Sequence, residues 1–225
     1  LQKIARGKDK KINIQLNLIN ALLEKLNNCQ PVNSNDWSKE QLFMIKNFNL
    51  ITNKPMMYIC NVDEQSIIDG NKFSRLVKEK LNKKNNIVVI VSAAIESQIA
   101  QLDNVKDKLE LLNELQLRDT TLKKVINSGY NLLNLITFFA SKSKETRAWT
   151  ITNNTKVPKA AGKIHSDFER GFIRAETISY EDFINYNGEA GCRKAGKLRQ
   201  EGKDYIVQDG DIANSELGIK KISYE

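Results

Sequence analysis

Two short apolar runs, each broken off by small polar residues, constrain this chain more than anything else in it. The first, residues 56–60 (Met-Met-Tyr-Ile-Cys), follows Pro55 and ends in Asn61-Val62-Asp63-Glu64. The second, residues 87–91 (Ile-Val-Val-Ile-Val), ends in Ser92-Ala93-Ala94. Runs this short and this apolar read as strands buried on both faces. Between them Asp69-Gly70 marks a loop, and Phe73, Leu76, Val77 and Leu81 share one face of a helix. Strand, helix and strand at this spacing make a parallel crossover of about minimum length. In an open α/β sheet the ligand crevice lies at the carboxyl ends of the strands, so both polar loops are expected on one rim. An Asn there offers a base edge a donor and an acceptor, a carboxylate accepts from base N–H groups, and Ala lets backbone approach the ring. That combination suits a purine base. Taken alone, Asn-Val-Asp-Glu is usually just a polar turn opening a helix; the second strand with Ser92-Ala93-Ala94 brings the base reading level with it.

Before this unit the pattern is helical. Residues 1–6 open without a start signal, and Gly7 can close that helix at positive φ. Ile12, Leu16, Ile19, Leu23 and Leu26 then alternate by four and three, a heptad seam spanning only two heptads. It fits a helical hairpin with one short arm, or an amphipathic helix packed on a domain. Residues 27–35 are a polar connector, and Ser38-Lys39-Glu40-Gln41 fits a capping box. After Ala94 the helical pattern continues to about Leu135, through Val105, Leu109, Leu112 and Leu115 and then Leu122, Val125, Ile126, Tyr130 and Leu133. Glu96, Asp103, Asp107, Glu110 and Glu114 lie among lysines there and read as a solvated face.

The texture then changes, with a domain boundary expected near Ala140. Residues 136–139 and 146–151 read as strands joined by a Ser-Lys-Ser-Lys-Glu connection, 158–162 as a short helix or turn, and 171–178 as a third strand. Residues 180–186 read as a short helix and 205–207 as a fourth strand before the turn 208–211. Short strands mixed with short helices make a small α+β module. Its single histidine, His165, lies beside Asp167, Glu169 and Arg170 without metal-ligand spacing or a nucleophile, which favours a structural or surface-recognition role over a catalytic one. Arg147 and Trp149, two apart on a strand, suit a nucleic-acid or ribosomal surface, or, for Trp149, plain core.

The 225 residues give room for one large domain or two small ones. The net charge of +8 permits a polyanionic partner but is spread thinly, with +4 on residues 1–50 and +2 on each of 51–141 and 142–225. Three distant cysteines suit a reducing cytoplasm rather than a disulfide framework or a zinc site. No apolar stretch reaches membrane-spanning length and no secretory signal opens the chain, so no membrane partner and a cytoplasmic location are expected.

Several long strings together resemble the YchF family of Obg-related P-loop nucleotidases. They are Lys54-Pro-Met-Met-Tyr-Ile-Cys-Asn-Val-Asp-Glu64, Ser92-Ala-Ala-Ile-Glu-Ser97, Lys144-Glu-Thr-Arg-Ala-Trp-Thr150 and Ile164-His-Ser-Asp-Phe-Glu-Arg-Gly-Phe-Ile-Arg-Ala-Glu176, with Gly188-Glu-Ala-Gly191 and 202–211 completing the set. The resemblance covers residues 1–212. It implies an α/β half G domain with parallel strands and a helical hairpin arm, plus an α+β, ubiquitin-like β-grasp TGS domain. Residues 1–50 would be part of the hairpin and its connector, 51–141 the back half of the G domain, 142–212 the TGS domain and 213–225 an aberrant tail. It also implies binding and hydrolysis of ATP or GTP with Mg²⁺ and association with ribosomes. Asn61, Val62 and Glu64 stand where most relatives of the P-loop class carry Asn-Lys-x-Asp, and Ser92, Ala93 and Ala94 match the second base loop. A Glu in place of the Asp cannot keep the same bidentate grip on guanine, so guanine preference should be lost. Arg147, Trp149, His165 and Arg170 become the expected ribosome or RNA contacts.

Two departures shape the expected function. The sequence contains no Gly-x-x-x-x-Gly-Lys-Ser/Thr, so nothing in it would cradle phosphates or place Mg²⁺, and the switch regions have no counterpart. After Ile212 the residues depart from the apolar closing strand that the resemblance implies, which puts that strand in question. The chain is therefore expected to be a fragment of a ribosome-associated ATP/GTP-binding protein, keeping base recognition without catalysis and inactive alone. Whether a separately encoded N-terminal half complements it is left open by the sequence. The alternatives are a non-catalytic ribosome- or RNA-binding module, or an inert remnant of a split gene.

Overall fold

The computed structural model describes residues 10–32, 37–81, 86–142 and 145–214. The chain opens with α1 (Lys10–Asn27) and α2 (Lys39–Lys46). Leu18 and Leu22 of α1 close over Ile45 of α2 and Val32, with Trp37, Met44 and Leu50 around them. The indole Nε1 of Trp37 donates to the Val32 carbonyl at 2.8 Å, which satisfies its one polar atom within this cluster. This is not the expected seam: Leu23 and Leu26 are exposed, and the buried pair is Leu18 and Leu22. The face of α1 that is covered is set by where α2 lies. The companion arm at 1–6 and the Gly7 reversal fall outside the described residues. The capping box is present, with Ser38 N–H donating to the Gln41 side chain at 2.9 Å and Gln41 N–H to the Ser38 hydroxyl at 3.2 Å.

Next come β1 (Met57–Asn61), α3 (Lys72–Leu81), β2 (Ile87–Val91), α4 (Ala93–Gln101), α5 (Val105–Glu114) and α6 (Thr121–Leu132). β1 and β2 pair in parallel, Met57 opposite Ile87 through Asn61 opposite Val91. The crossover is thus as expected, with β1 shifted by one residue. Burial on both faces is not found: Ile59 is 51% exposed, and within the two strands only Val89 is buried. Among the described residues this sheet has two strands, too few to cover both faces. The predicted apolar face of α3 is likewise open, with Phe73 74% exposed, while Ser74 is the buried residue. Val105 and Leu109 of α5 are exposed too, whereas Leu112 joins Ile67, Ile95, Ile99 and Leu117 in a closed cluster.

The remainder builds one five-stranded sheet from β3 (Leu135–Lys142), β4 (Glu145–Thr152), β5 (Ala175–Ile178), β6 (Arg199–Glu201) and β7 (Ile212–Asn214), in the order β4-β3-β7-β5-β6. β3 and β4 form an antiparallel hairpin, β7 runs parallel to β3, and β5 is antiparallel to both β7 and β6. Helices α7 (Val157–Ile164), α8 (Ser166–Arg170), α9 (Tyr180–Asn185) and α10 (Glu189–Lys194) fill the connections. Ile136, Phe138, Ile151, Val157, Ala160, Ala161, Phe172, Ala175 and Val207 form its core. β3 is one continuous strand from Leu135, so the change of texture falls at Leu135, and a boundary near Ala140 would cut the strand.

Three further readings are corrected here. The third strand begins at Ala175 rather than 171, because α8 occupies 166–170 and turns into it. Residues 205–207 make only one bridge, Lys156 to Ile206, and the fourth strand is β6. The closing strand, put in question by the sequence, forms over Ile212–Asn214, with Ile212 opposite Phe139 and Ile178. A three-residue central strand is held chiefly by backbone hydrogen bonds on both sides, so its side chains need only fit. At Gly191 on α10, an added Cβ would run into the Tyr186 carbonyl, so the helix and the preceding turn approach each other only because that position is glycine.

Candidate nucleotide-base rim and docking groove

The rim at the carboxyl ends of β1 and β2 is tied together by side chains from both loops. Asn61 Oδ1 accepts from the Ala93 amide at 3.0 Å, fastening the end of β1 to the first residue of α4. The Val62 amide donates to the Val91 carbonyl at 2.9 Å and extends the ladder by one rung. Asp63 Oδ1 accepts from the Ser66 amide at 2.9 Å and caps the turn Glu64–Ser66; this bond holds its carboxyl below the usual range. Glu64 reaches across the rim, where its Oε1 accepts from Gln98 Nε2 at 2.9 Å.

Of the six residues read as base contacts, the fold brings Asn61, Glu64, Ala93 and Ala94 to the exposed rim. The other two lie beneath it. Val62 is buried, and Ser92 is fully buried with its Oγ lacking a partner among the described residues. Asn61 keeps its Nδ2 donor and Glu64 keeps Oε2 as an acceptor. Sequence reasoning missed Gln98, although helical spacing puts it one turn after Ala94 on the same face. It also took Glu96 for a solvated carboxylate. Glu96 instead accepts from the Thr121 amide and, at 2.6 Å, from the Thr121 hydroxyl, so it caps α6 against α4. No local pattern announces that bond, which spans 25 residues.

A second site lies beside β4. A groove of about 590 Å³ runs between Glu145, Arg147 and Trp149 on the strand and Ile164, His165, Asp167 and Phe168 at the α7–α8 corner, with Ala140 at its base. Arg147 Nε is 2.7 Å from the Glu145 carboxylate. His165 caps α8, its Nδ1 lying 3.3 Å from the Asp167 amide nitrogen and 3.5 Å from the Asp167 carboxylate. Its ring lies 5.7 Å from that of Phe168. Trp149 is half-buried against the sheet core, as are Ile164 and Phe168. Arg170 is exposed at the end of α8 and does not line the groove.

Among the described residues no group of three His, Cys, Asp or Glu stands together to hold a metal ion, and no helix is long and apolar enough to cross a membrane. The three cysteines are free. Cys192 is buried, and burial first, then Asp182, push its thiol above the usual range while Lys197 opposes. In a maleimide titration at pH 7.5 Cys29, which is exposed, is expected to react quickly and Cys192 only after denaturation. Rapid native labelling of Cys192 would show that its cover opens.

A family model, YchF-GTPase_C, described as a protein of unknown function (DUF933), matches residues 135–217. The ribosome-binding ATPase YchF of Pasteurella multocida is 48% identical over 219 residues, covering 97% of this chain and 60% of that protein. The chain matches the C-terminal portion of the YchF family. The YchF protein of Bacillus subtilis, also named ribosome-binding ATPase, is 40% identical over 221 residues, again covering 60% of its length. The structure of the Schizosaccharomyces pombe YchF GTPase superposes with a TM-score of 0.79 at 32% identity, covering 92% of this chain and 56% of that one. The chain thus spans about 60% of the length of the curated YchF relatives named here, and shares α/β architecture with parallel strands with the solved one.

Proposed function

We propose that this chain supplies the base-recognition rim and the ribosome-docking module of a YchF-type ATP/GTP-binding protein of the cytoplasm. In this reading residues 51–134 are the back half of a G-type domain, and the sheet from Leu135 to Asn214 is a TGS domain. The sheet order β4-β3-β7-β5-β6 with its parallel β3–β7 centre supports the latter, being the arrangement of a β-grasp fold. The tie between Asn61 and Ala93 carries the base reading, because it holds the two polar loops at one edge with Glu64 beside them.

The rim fits adenine better than guanine. Glu64 is anchored by Gln98 with one oxygen free, which suits one amino donor rather than the paired N–H groups of guanine. The chain's own residues therefore fit the base. Among the described residues no group of three His, Cys, Asp or Glu stands together to hold a metal ion, and no hydrolytic step is assigned to the rim. Exposed Ile51, Ile59 and Phe73 support a separately encoded N-terminal half packing against the small sheet.

Nucleosides test the base reading without involving phosphates. Adenosine is expected to shift the Ala93 and Asn61 amide resonances of the purified chain, guanosine much less, and Glu64→Asp to narrow the difference by about tenfold. Shifts confined to residues away from 61–64 and 92–94 would sink it. The docking half draws on the similarity to ribosome-binding YchF ATPases and on Arg147, Trp149, His165 and Arg170 as surface contacts. Salt-dependent co-sedimentation of the chain with ribosomes checks it, and the same assay supports a nucleotide-independent binding module if nucleosides fail to bind.

A further inference from the structure

We infer that the groove beside β4 takes an extended, lysine-bearing segment of a partner protein, added as a sixth strand to the sheet. The inference rests on the docking reading above and names the chemistry of what docks.

Among the described residues β4 is an edge of the sheet, eight residues long and paired with β3 in unbroken register from Thr152 to Glu145. The Asn153 amide bonds to the Asn134 carbonyl one rung below the hairpin's first pair, which fixes the alternation of the ladder. Trp149 and Ile151 turn their backbone groups to β3, and Ala148 and Thr150 turn theirs to the free edge. β4 has no proline, no lysine and no bulge to block its edge, and its two charges, Glu145 and Arg147, pair with each other. On the face toward α7 and α8 the same strand presents Glu145, Arg147 and Trp149 to the groove. An added strand would satisfy the outward backbone groups and lay alternate side chains over that groove, as in strand-addition recognition generally.

Charge decides what those side chains are. On a chain of net charge +8 this groove is lined by two carboxylates, Glu145 and Asp167, against one guanidinium and the His165 imidazole; Glu145 engages Arg147 at 2.7 Å, and Asp167 lies 3.5 Å from His165 Nδ1. A phosphate backbone would meet Glu145 and Asp167 without an unpaired cation among the lining residues. A lysine is the better fit. Its ammonium can reach Asp167 while its methylenes lie on Trp149 and Phe168, a mixed apolar and cationic contact.

The probe is a fluorescein-labelled peptide of alternating valine and lysine, nine residues long, followed by anisotropy with the full 225-residue chain. Saturable binding is expected. Ala148→Pro removes an outward donor without touching the β3 ladder and should weaken binding about fivefold. Asp167→Asn should weaken it by a similar factor, and so should N-methylation of alternate peptide amides, which leaves the protein unaltered. Unlabelled decauridine should not displace the peptide. Displacement by decauridine would overturn the inference in favour of a nucleic-acid surface. Equal affinity of the N-methylated and plain peptides would overturn strand addition. Absence of peptide binding at millimolar protein would overturn the groove while leaving docking intact if co-sedimentation with ribosomes persists; loss of both would end the docking reading as well.

Discussion

Asp211→Ala is expected to lower the unfolding free energy by about 3 kcal/mol, among the larger effects of any single side chain here. The Asp211 side chain is 3% exposed and its carboxylate is a hub. Oδ2 accepts from the Tyr205 hydroxyl at 2.6 Å and from the Gln208 amide at 2.9 Å, and Oδ1 from Arg199 at 3.2 Å. The same turn is laced to β3, with the Phe139 amide donating to the Asp211 carbonyl, the Gly210 amide to the Thr137 carbonyl and the Thr137 amide to Asp209, each at 2.8 Å. These bonds aim β7 into the middle of the sheet. Alanine would leave a half-buried phenol and a backbone donor without acceptors, whereas Asp211→Asn retains an acceptor and should cost about half as much. The Arg199 bond adds little, since that side chain is 43% exposed. Urea unfolding followed by tryptophan fluorescence measures both variants, and an Ala cost under about 1 kcal/mol would mean the turn is held by backbone alone.

The clasp also sets a pH dependence. Burial, and then the hydrogen bond to Asp211, push the Tyr205 phenol above its ordinary range. An acid whose pKa is raised by folding keeps its proton in the native state where the unfolded chain loses it. The stabilisation is therefore complete below the unfolded value, about pH 10 for Tyr, and declines as pH rises beyond it. Cys192 acts in the same direction from about pH 8.5. Melting temperatures should fall between pH 8 and pH 11, with the Asp211→Ala variant showing a shallower decline.

The second large effect is on catalysis: the purified chain is expected to show no Mg²⁺-dependent ATP or GTP turnover. Phosphoryl transfer is driven by positioning and charge stabilisation around the γ-phosphate. The sequence contains no phosphate-cradling Gly-x-x-x-x-Gly-Lys-Ser/Thr, and the rim proposed above is built from Asn61, Glu64 and Ala93, none of them a cation that could pair a phosphate. ATP should consequently bind no more tightly than adenosine, within about threefold, because its phosphates gain no partners. Phosphate release and calorimetry together check this. Mg²⁺-dependent release by the chain, or ATP binding a hundredfold tighter than adenosine, would place a phosphate site within these 225 residues and end the division of roles proposed above.

The sequence by itself determined the features written in local chemistry. The capping box at Ser38 and Gln41, the strand Ile87–Val91, the β3–β4 hairpin and the meeting of Asn61 with Ala93 all follow from turn residues, periodicity and the handed geometry of a parallel crossover. Those signals act over a few residues and survive whatever packs around them. The tertiary structure decided which apolar faces are covered. Leu18 and Leu22, not Leu23 and Leu26, are buried because α2 lies over that side of α1. Ile59 and Phe73 stay open because the small sheet has only two strands among the described residues. It also decided the long-range pairs, such as Glu96 with Thr121, Glu64 with Gln98 and the insertion of β7 between β3 and β5. Each joins groups far apart along the chain, and a hydrogen bond or a strand register at that separation leaves no period in the sequence, because only the folded backbone brings its two ends together.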